Sequence, residues 1–261
     1  VLHKLIPDSF IYIREKKAKS LSFEVTPKSQ ISILINTKFV QGECYQLKED
    51  HIAYEDKDII VVDKPEGLST QPTLSKEDDH LYGAVIAHYT MPHPGNLAYI
   101  GLHHRLDRMT SGLVLMTKKP SMNKAISDQF ENKKIKKKYM AIVTGAAPKN
   151  KMWTVKEPIA KMSEKGILKV GIDCKKGQPA ETRFKYLEDL GEGRHLIECQ
   201  PLTGRTHQIR IHLKYSKLPV LGDSVYGGET SSRMHLHAKE LSFKHPRTGD
   251  ELTVVSTKDL K

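Results

Sequence analysis

The sequence has few cysteines, no long apolar run and no recognisable signal-peptide core. Its 261 residues include only Cys44, Cys174 and Cys199. These are widely spaced and odd in number, so they form neither a disulfide framework nor a paired-cysteine metal knuckle. A reducing cytoplasm is therefore the expected compartment. The longest apolar runs, such as IIVV at 59–62, are too short to cross a bilayer, so we expect no membrane association.

Several familiar catalytic motifs are also missing. The sequence contains no P-loop, no GxGxxG, no HExxH and no GxSxG, which argues against the nucleotide-binding, zinc-protease and serine-hydrolase classes that use them. Histidines do occur in pairs, as HH at 103–104 and HLH at 235–237. They lack acidic or cysteine partners at a recognised metal spacing, so we expect no metal ion.

What the sequence does have is positive charge. Lysine and arginine number 42 against 31 acidic residues, a net charge of +11. A surplus of this size favours a polyanionic partner such as nucleic acid, because a phosphate-binding surface needs many cations. A basic surface that binds nothing is the alternative. The hydrophobic fraction of 38% supports a buried core.

The chain divides into two parts that differ in composition and in hydrophobic pattern. Residues 1–52 carry a short lysine run and strand-like alternation through ISILINTKFV. They form either a degenerate or truncated RNA-binding module or a plain β-rich lobe. Residues 53–261 are expected to form one continuous, enzyme-like domain. Strands and helices mix in it without a steady βαβ rhythm, which predicts an α+β fold on a largely antiparallel sheet.

Local patterns predict individual elements. DIIVVDKPEGL and LVLM read as buried strands, and KKYMAIVTG as a strand ending at Gly145. Two helices are expected, one over residues 80–90 and one starting at Pro120. ETRFKYLEDL and HLIECQPL predict a β-hairpin across the GEG turn. A helix follows, which we expect Thr206 to cap, with Ile209 and Leu213 on its buried side.

The loop HHRLDRMTSG, residues 103–112, is the first cluster with chemical potential. Asp107 is its one carboxylate, and Arg105 and Arg108 flank it. Neighbouring positive charge favours the ionised form of the carboxylate, which suits attack on, or steering of, an electron-poor carbon. The structural alternative is an aspartate that holds two arginines together on the surface.

Two further clusters follow in the sequence. LTGRTHQIRIH, residues 202–212, concentrates arginine and histidine at an expected helix start, where free N–H groups bind phosphate well. KKIKKKYM contains five lysines and then Tyr139, an aromatic side chain that suits stacking on a flipped base. A solvated face and a core tyrosine are the alternative interpretations of these two clusters.

Taken in order, these motifs resemble the RluA-type RNA pseudouridine synthases over residues 53–255. VVDKPEGL resembles the first motif of that family, HRLDRMTSGL its signature, and KKYMAIVTG the strand with its active-site tyrosine. LTGRTHQIRIHL, PVLGDSVYGG and LHAKELSFKHP resemble its closing motifs, in the family's order. The resemblance implies the pseudouridine synthase fold, a largely antiparallel mixed β-sheet flanked by helices and loops.

The resemblance also implies an activity and a set of residues. The activity is isomerisation of uridine to pseudouridine in structured ribosomal or transfer RNA, without cofactor or metal. A monomer is the default expectation, and we expect no action on DNA. Asp107 is implied as the catalytic aspartate, Arg205 as the basic residue that pairs with it, and Tyr139 as the aromatic that packs on the base. Arg105 is implied to enter the space left by the flipped nucleotide. Substrate contact is expected from His104, Arg105, Arg108, Thr110, Lys64, Thr206, His207 and Arg210.

Two other functions stay open at this point. A ribosome-assembly or RNA-binding factor would keep the fold without catalysis. A hydrolase would use Asp107 and the nearby histidines on a phosphodiester. If the isomerase reading is right, we expect Asp107 and Arg205 to form a buried pair, whose mutual hydrogen bonding offsets the cost of desolvation.

Overall fold

The chain is described from a computed structural model. It describes residues 44–260 except 73–78, 91–97, 149, 165–166 and 174, and of residues 1–43 it describes three strands only. These are β1 (Phe10–Ile13), β2 (Lys16–Lys17) and β3 (Ile31–Leu34), which form an antiparallel sheet in the order β2-β1-β3. These strands agree with a β-rich N-terminal region. That this region is an RNA-binding module stays a prediction.

A ten-stranded sheet dominates the rest of the chain. Its central path runs β4-β5-β7-β14-β8-β13-β12-β9, with β15 beside β14 and β6 beside β7. The pair β7 and β14 is parallel, and the other pairs of this sheet are antiparallel. The strands are β4 (Ile52–Glu55), β5 (Ile59–Lys64), β6 (Gly101–Leu102), β7 (Ser111–Thr117), β8 (Lys136–Thr144), β9 (Met152–Val155), β12 (Thr182–Gly191), β13 (Arg194–Pro201), β14 (Leu236–Lys244) and β15 (Glu251–Val255).

Three α-helices and a separate hairpin complete the part of the chain that the structure describes. The helices are α1 (Leu81–Thr90), α2 (Asn123–Glu131) and α3 (Gln208–Tyr215). The hairpin joins β10 (Ile159–Glu164) to β11 (Ile167–Ile172). A mostly antiparallel sheet with a few helices is an α+β architecture, so the predicted fold class is confirmed.

Most of the predicted elements are confirmed as well. β5 and β7 are buried at every residue, as expected for short apolar runs inside a sheet that is covered on both faces. β12 and β13 form the predicted hairpin, and Glu192 takes a positive φ of 53° in its turn. Ile209 and Leu213 on α3 are buried. The predicted cap of this helix is wrong, because the residue that precedes α3 as its N-cap is His207 and not Thr206.

The order of the central strands is what builds the site. β7 follows directly after the loop that contains Asp107, β14 lies beside β7, and β8 lies on the other side of β14. Tyr139 on β8 pairs with Ala238 on β14. Two sequence motifs about thirty residues apart are thereby brought to neighbouring positions on one sheet.

Candidate active site

The backbone of the Asp107 loop is held by short hydrogen bonds. The Asp107 carbonyl accepts the N–H of Thr110 at 3.0 Å, which closes a turn. Arg108, which follows Asp107, makes two hydrogen bonds with Gly67 in the turn after β5. Its carbonyl accepts the N–H of Gly67 at 3.0 Å, and its Nε donates to the Gly67 carbonyl at 2.9 Å. The position of the carboxylate is therefore set by the scaffold before any substrate binds.

Lys64 contributes to the same anchoring, and its predicted contact with substrate is wrong. Its side chain is fully buried. Nζ donates to the carbonyls of Pro65, Leu68 and Arg108 at 2.9, 2.8 and 3.1 Å. Burial lowers the pKa of Lys64 to about 7, and the negative charge of Asp107 opposes that shift. All three donors are used inside the protein, so Lys64 supports the loop and does not meet a ligand.

Asp107 faces Arg210 and His207. Arg210 Nη1 lies 3.5 Å from Asp107 Oδ2, and His207 Nε2 lies 3.8 Å from the same oxygen. The far edge of the Arg210 guanidinium binds Asp223 in a bidentate pair, with Nε–Oδ2 at 2.7 Å and Nη2–Oδ1 at 2.8 Å. Arg210 and Asp223 are both buried, so one guanidinium is shared between a buried carboxylate and the half-buried carboxylate of Asp107.

The predicted pair between Asp107 and Arg205 is therefore wrong. Arg205 is exposed, and its Nε donates to the carbonyl of Pro179 at 3.1 Å. Its backbone N–H binds Gln208 Oε1 at 3.0 Å, which fixes it in the loop ahead of α3. Arg210, the third residue of α3, is the arginine that the helix directs inward. The flanking Arg105 and Arg108 are exposed too.

His207 joins the site through an unusual backbone conformation. It takes the left-handed region, with φ 55° and ψ 19°, which is uncommon for a residue with a side chain. Its Nδ1 lies 2.8 Å from the hydroxyl of Tyr226. Burial lowers the pKa of His207, and the nearby carboxylate of Asp107 acts in the opposite direction. A neutral imidazole beside Asp107 is the favoured state at neutral pH.

Tyr139 presents a phenol that has no hydrogen-bond partner in the described part of the chain. It is half-buried on β8 and packs against two clusters of the hydrophobic core. Its hydroxyl makes no hydrogen bond with any residue that the structure describes, although Tyr82, Tyr89 and Tyr226 all do. Burial, and then the charge of Asp107, raise the pKa of Tyr139. The phenol therefore stays protonated at neutral pH and is available to a ligand.

These side chains open onto one groove of about 1010 Å³, called the central groove below. Seven lysines and arginines line it against three acidic residues, so its field favours an anionic ligand. Of the predicted substrate contacts, six line the groove and two, Lys64 and Arg108, do not. The lining comprises residues 103–107, 110, 130–131, 133, 135–139 and 200–210 with Leu236, Glu240 and Ser242.

His104 lines the groove but also serves the scaffold. Its Nε2 accepts the N–H of Leu115 on β7 at 2.9 Å, and its ring lies 4.8 Å from that of Phe130. Burial lowers the pKa of His104 to about 3. The ring is thus a neutral acceptor that fixes the 103–110 loop against β7, and its predicted contact with substrate stays a prediction.

Sequence reasoning missed three residues that hold the site together. Asp223 binds Arg210, Tyr226 binds His207, and Gln208 connects the loop before α3 to β12 through Thr182. Asp223 and Tyr226 belong to PVLGDSVYGG, which was quoted as a motif without roles for its residues. The sequence signal for these roles was an acidic residue directly after Gly222 and an aromatic residue three positions further on.

One group of potential metal ligands occurs among the described residues, and it lies outside the central groove. The ligand atoms of Asp56, Asp58 and His245 lie within 4.8 Å of one another. Asp58 is already bound by Arg247, with Nε–Oδ2 at 2.5 Å and Nη2–Oδ1 at 2.6 Å. These contacts make the group an internal ion-pair network. None of the helices that the structure describes has the length and apolar character of a membrane span.

A mixed sheet that places an aspartate, an arginine and a tyrosine on a cationic groove is compatible with an enzyme that acts on a nucleic acid. A family model described as RNA pseudouridylate synthase matches residues 58–215, and the chain belongs to that family. It is an RNA pseudouridine synthase of the RluA type, which isomerises uridine in RNA to pseudouridine.

Individual relatives agree with this placement. The chain is 34% identical over 260 residues to an RNA pseudouridine synthase of Mycoplasma pneumoniae, covering 95% of this chain and 81% of the relative. It is 33% identical to ribosomal large subunit pseudouridine synthase C of Haemophilus ducreyi, covering 90% and 72%. Among solved structures, Human RNA Pseudouridylate Synthase Domain Containing 4 matches with 26% identity and a TM-score of 0.63, over 78% of this chain and 87% of that chain.

Proposed function

We propose that this protein isomerises specific uridines in ribosomal RNA of the large subunit, with Asp107 as its catalytic carboxylate and without a cofactor. The observation that carries the proposal is the placement of Asp107, held by Arg210 at 3.5 Å on the wall of a cationic groove that Tyr139 also lines. The named substrate class of several relatives supports the choice of ribosomal RNA. Transfer RNA is the alternative substrate.

The reaction breaks one bond and forms another on the same nucleotide. The glycosidic bond between uracil nitrogen 1 and the anomeric carbon breaks, the uracil turns while it is held, and carbon 5 bonds to the anomeric carbon. The proton of carbon 5 leaves, and nitrogen 1 ends protonated. Asp107 assists either by adding to the sugar or by removing a ribose proton. Both routes need the carboxylate close to the sugar, and the contact with Arg210 Nη1 at 3.5 Å holds it on the wall of the groove.

Tyr139 and Arg105 have complementary parts in holding the flipped base. A uridine inside a stem has to be extruded at a cost of roughly a few kcal/mol, offset by stacking in the pocket and by filling the gap. Tyr139 provides the aromatic surface and a hydroxyl that no described residue binds. Arg105 is exposed at the groove and makes no hydrogen bond or ion pair within the described part of the chain, so its side chain is available to fill the vacated space.

The protein is proposed to work as a monomer in the cytoplasm, where ribosomal RNA of bacteria is made. Residues 53–261 are proposed to carry the reaction, and residues 1–52 to add RNA contacts. Arg205 is not proposed as the partner of Asp107, because Arg210 occupies that position.

The test is tritium release. Ribosomal and transfer RNA are prepared separately from cells that lack the gene and have been grown with uridine tritiated at carbon 5. The purified protein is expected to release tritium from the ribosomal fraction, whereas Asp107→Asn is expected to lose on the order of a thousandfold or more in rate. Asp250→Asn, an exposed carboxylate outside the groove, is the matched control.

RNA binding by the same variants separates catalysis from simple recognition. Asp107→Asn is expected to keep its affinity in a filter-binding assay, because the carboxylate does not contribute attraction to phosphate. Equal tritium release by Asp107→Asn and the unaltered protein would contradict the role of the carboxylate. Release from transfer RNA alone would replace ribosomal RNA as the substrate.

A further inference from the structure

Lys137 occupies a special place on the wall of the central groove. It lies on β8 two residues before Tyr139, so the two side chains leave the strand on the same face. Both line the groove. The ammonium of Lys137 also reaches the loop before α3, since a Cβ built on Gly204 would lie 3.9 Å from Lys137 Nζ. The Lys137 ammonium therefore lies near the 203–206 loop, on the same groove as Tyr139.

Lys137 lacks a counterion among the residues that the structure describes. It makes no hydrogen bond or ion pair with any residue in the described part of the chain, and burial lowers its pKa with no acidic group acting against the shift. Its neighbour Lys138 differs, because it binds Glu240 at 3.0 Å and its pKa is raised, first by that bond. A half-buried charge without a partner is costly. The groove therefore favours a ligand that places an anionic group next to Lys137.

The loop opposite Lys137 also offers unused donors. The backbone N–H groups of Gly204 and Thr206 donate to none of the described residues, whereas that of Arg205 is bound by Gln208. Gly204 is exposed. A Cβ built on it would have Lys137 Nζ as its nearest neighbour, at 3.9 Å. Free backbone N–H groups in a loop near an ammonium are donors of the kind that bind the phosphates of nucleic acids.

We propose that Lys137 and the backbone of Gly204 bind one phosphate of the RNA backbone beside the uridine that stacks on Tyr139. The proposal rests on the proposed function and specifies how that site positions its substrate. Lys137 is a binding residue here and takes no part in the bond changes. One charge-assisted contact fixed next to the flipped nucleotide would hold the sugar in register with Asp107.

The kinetic test compares two lysine variants on the RNA fraction that releases tritium. Lys137→Gln is expected to raise KM about tenfold at moderate salt, the value of one charged hydrogen bond. The slope of log KM against log salt concentration is expected to fall by about 1. Lys57→Gln removes the same charge from an exposed side chain outside the groove, and both quantities should stay near those of the unaltered protein.

A nucleotide titration identifies the group that Lys137 contacts. The ε-carbon resonance of Lys137 is assigned by its loss in Lys137→Gln, and its pKa is followed by NMR. Uridine 5′-monophosphate or uridine 3′-monophosphate is expected to raise the pKa of Lys137, and uridine without phosphate is not. An equal rise with uridine would show contact with the base and overturn the phosphate subsite.

The outcomes separate this proposal from the proposed function. Tritium release with KM and salt slope unchanged in Lys137→Gln would overturn the phosphate subsite and leave the isomerase standing. A rise in the Lys137 pKa with the nucleotides, in a protein that releases no tritium from any RNA, would support the subsite and overturn the isomerase. Misfolding of the variant is not expected, because Lys137→Gln removes an unpaired charge; its melting temperature should equal or exceed that of the unaltered protein.

Discussion

At the scale of single residues, the site depends on which arginine faces Asp107. Arg210 meets three groups at once: Asp107 at 3.5 Å, Asp223 in a bidentate pair, and the ring of Tyr226, whose centre lies 4.9 Å from the guanidinium carbon. A planar, permanently charged fork is the side chain that satisfies such a set. Lysine at this position would lose the bidentate geometry.

Removing Arg210 should therefore damage both stability and activity. Arg210→Met is expected to lower the free energy of unfolding by about 3–5 kcal/mol, because it leaves Asp223 buried without its cation. Arg205→Met, five residues away and exposed, should leave the melting temperature close to that of the unaltered protein. Urea unfolding of the two variants checks this. Equal stability of both would contradict the buried pair, and partial recovery in Arg210→Met with Asp223→Leu would support it.

At the scale of elements, the contact between β7 and β14 joins the two halves of the site. The strands meet at a parallel pair in which Gly112 lies opposite Ala238. Gly112 has φ 114°, and a Cβ there would lie 2.4 Å from the Ala238 carbonyl oxygen. The glycine permits both the backbone conformation and the close approach. Without this approach, the strand after Asp107 could not lie so near β8 and Tyr139.

Gly112→Ala should consequently cost about 3 kcal/mol of stability, from backbone strain together with overpacking. Gly249→Ala is the matched control. Gly249 has φ 80° but nothing within 4 Å of its Cβ position, so we expect strain alone, about 1 kcal/mol. Thermal unfolding of the pair measures the difference. A Gly112→Ala protein as stable as Gly249→Ala would mean that the two strands separate easily at this point.

At the scale of the whole molecule, buried neutral histidines couple stability to pH. His237 lies between the hydroxyls of Ser111 and Ser256, at 2.9 and 2.8 Å. Burial lowers its pKa from 6.5 to about 4, against the opposing charge of Asp63. His104 is lowered further, to about 3. Below pH 6.5 the unfolded chain takes up protons at these sites while the folded protein does not.

Stability is therefore expected to be fullest above pH 6.5 and to fall as the pH is lowered toward 4. His237 by itself contributes a loss of about 1.4 kcal/mol per pH unit in that window. Urea unfolding at pH 7, 6 and 5 measures the slope of the unfolding free energy against pH. His237→Gln should reduce that slope by the contribution of about one proton. A slope that is unchanged in His237→Gln would show that this imidazole is protonated in the folded state.

Much of this protein follows from its sequence alone. The buried strands β5 and β7, the β12–β13 hairpin and the α+β class come from local patterns, because alternation, apolar runs and turn residues report neighbouring structure directly. The family came from six short motifs in order, and Asp107 and Tyr139 came with them as candidates.

Only the tertiary structure decided how the charges are shared. Arg205 and Arg210 stand in one motif. Which of them faces inward depends on the left-handed conformation of His207, just before α3, and on Asp223 from the loop beyond the helix. The sequence predicted that Lys64 contacts substrate. In the structure its buried ammonium instead supports the Asp107 loop through hydrogen bonds to backbone carbonyls. Charge pairing of this kind is a matter of distance in three dimensions, and spacing along the chain does not encode it.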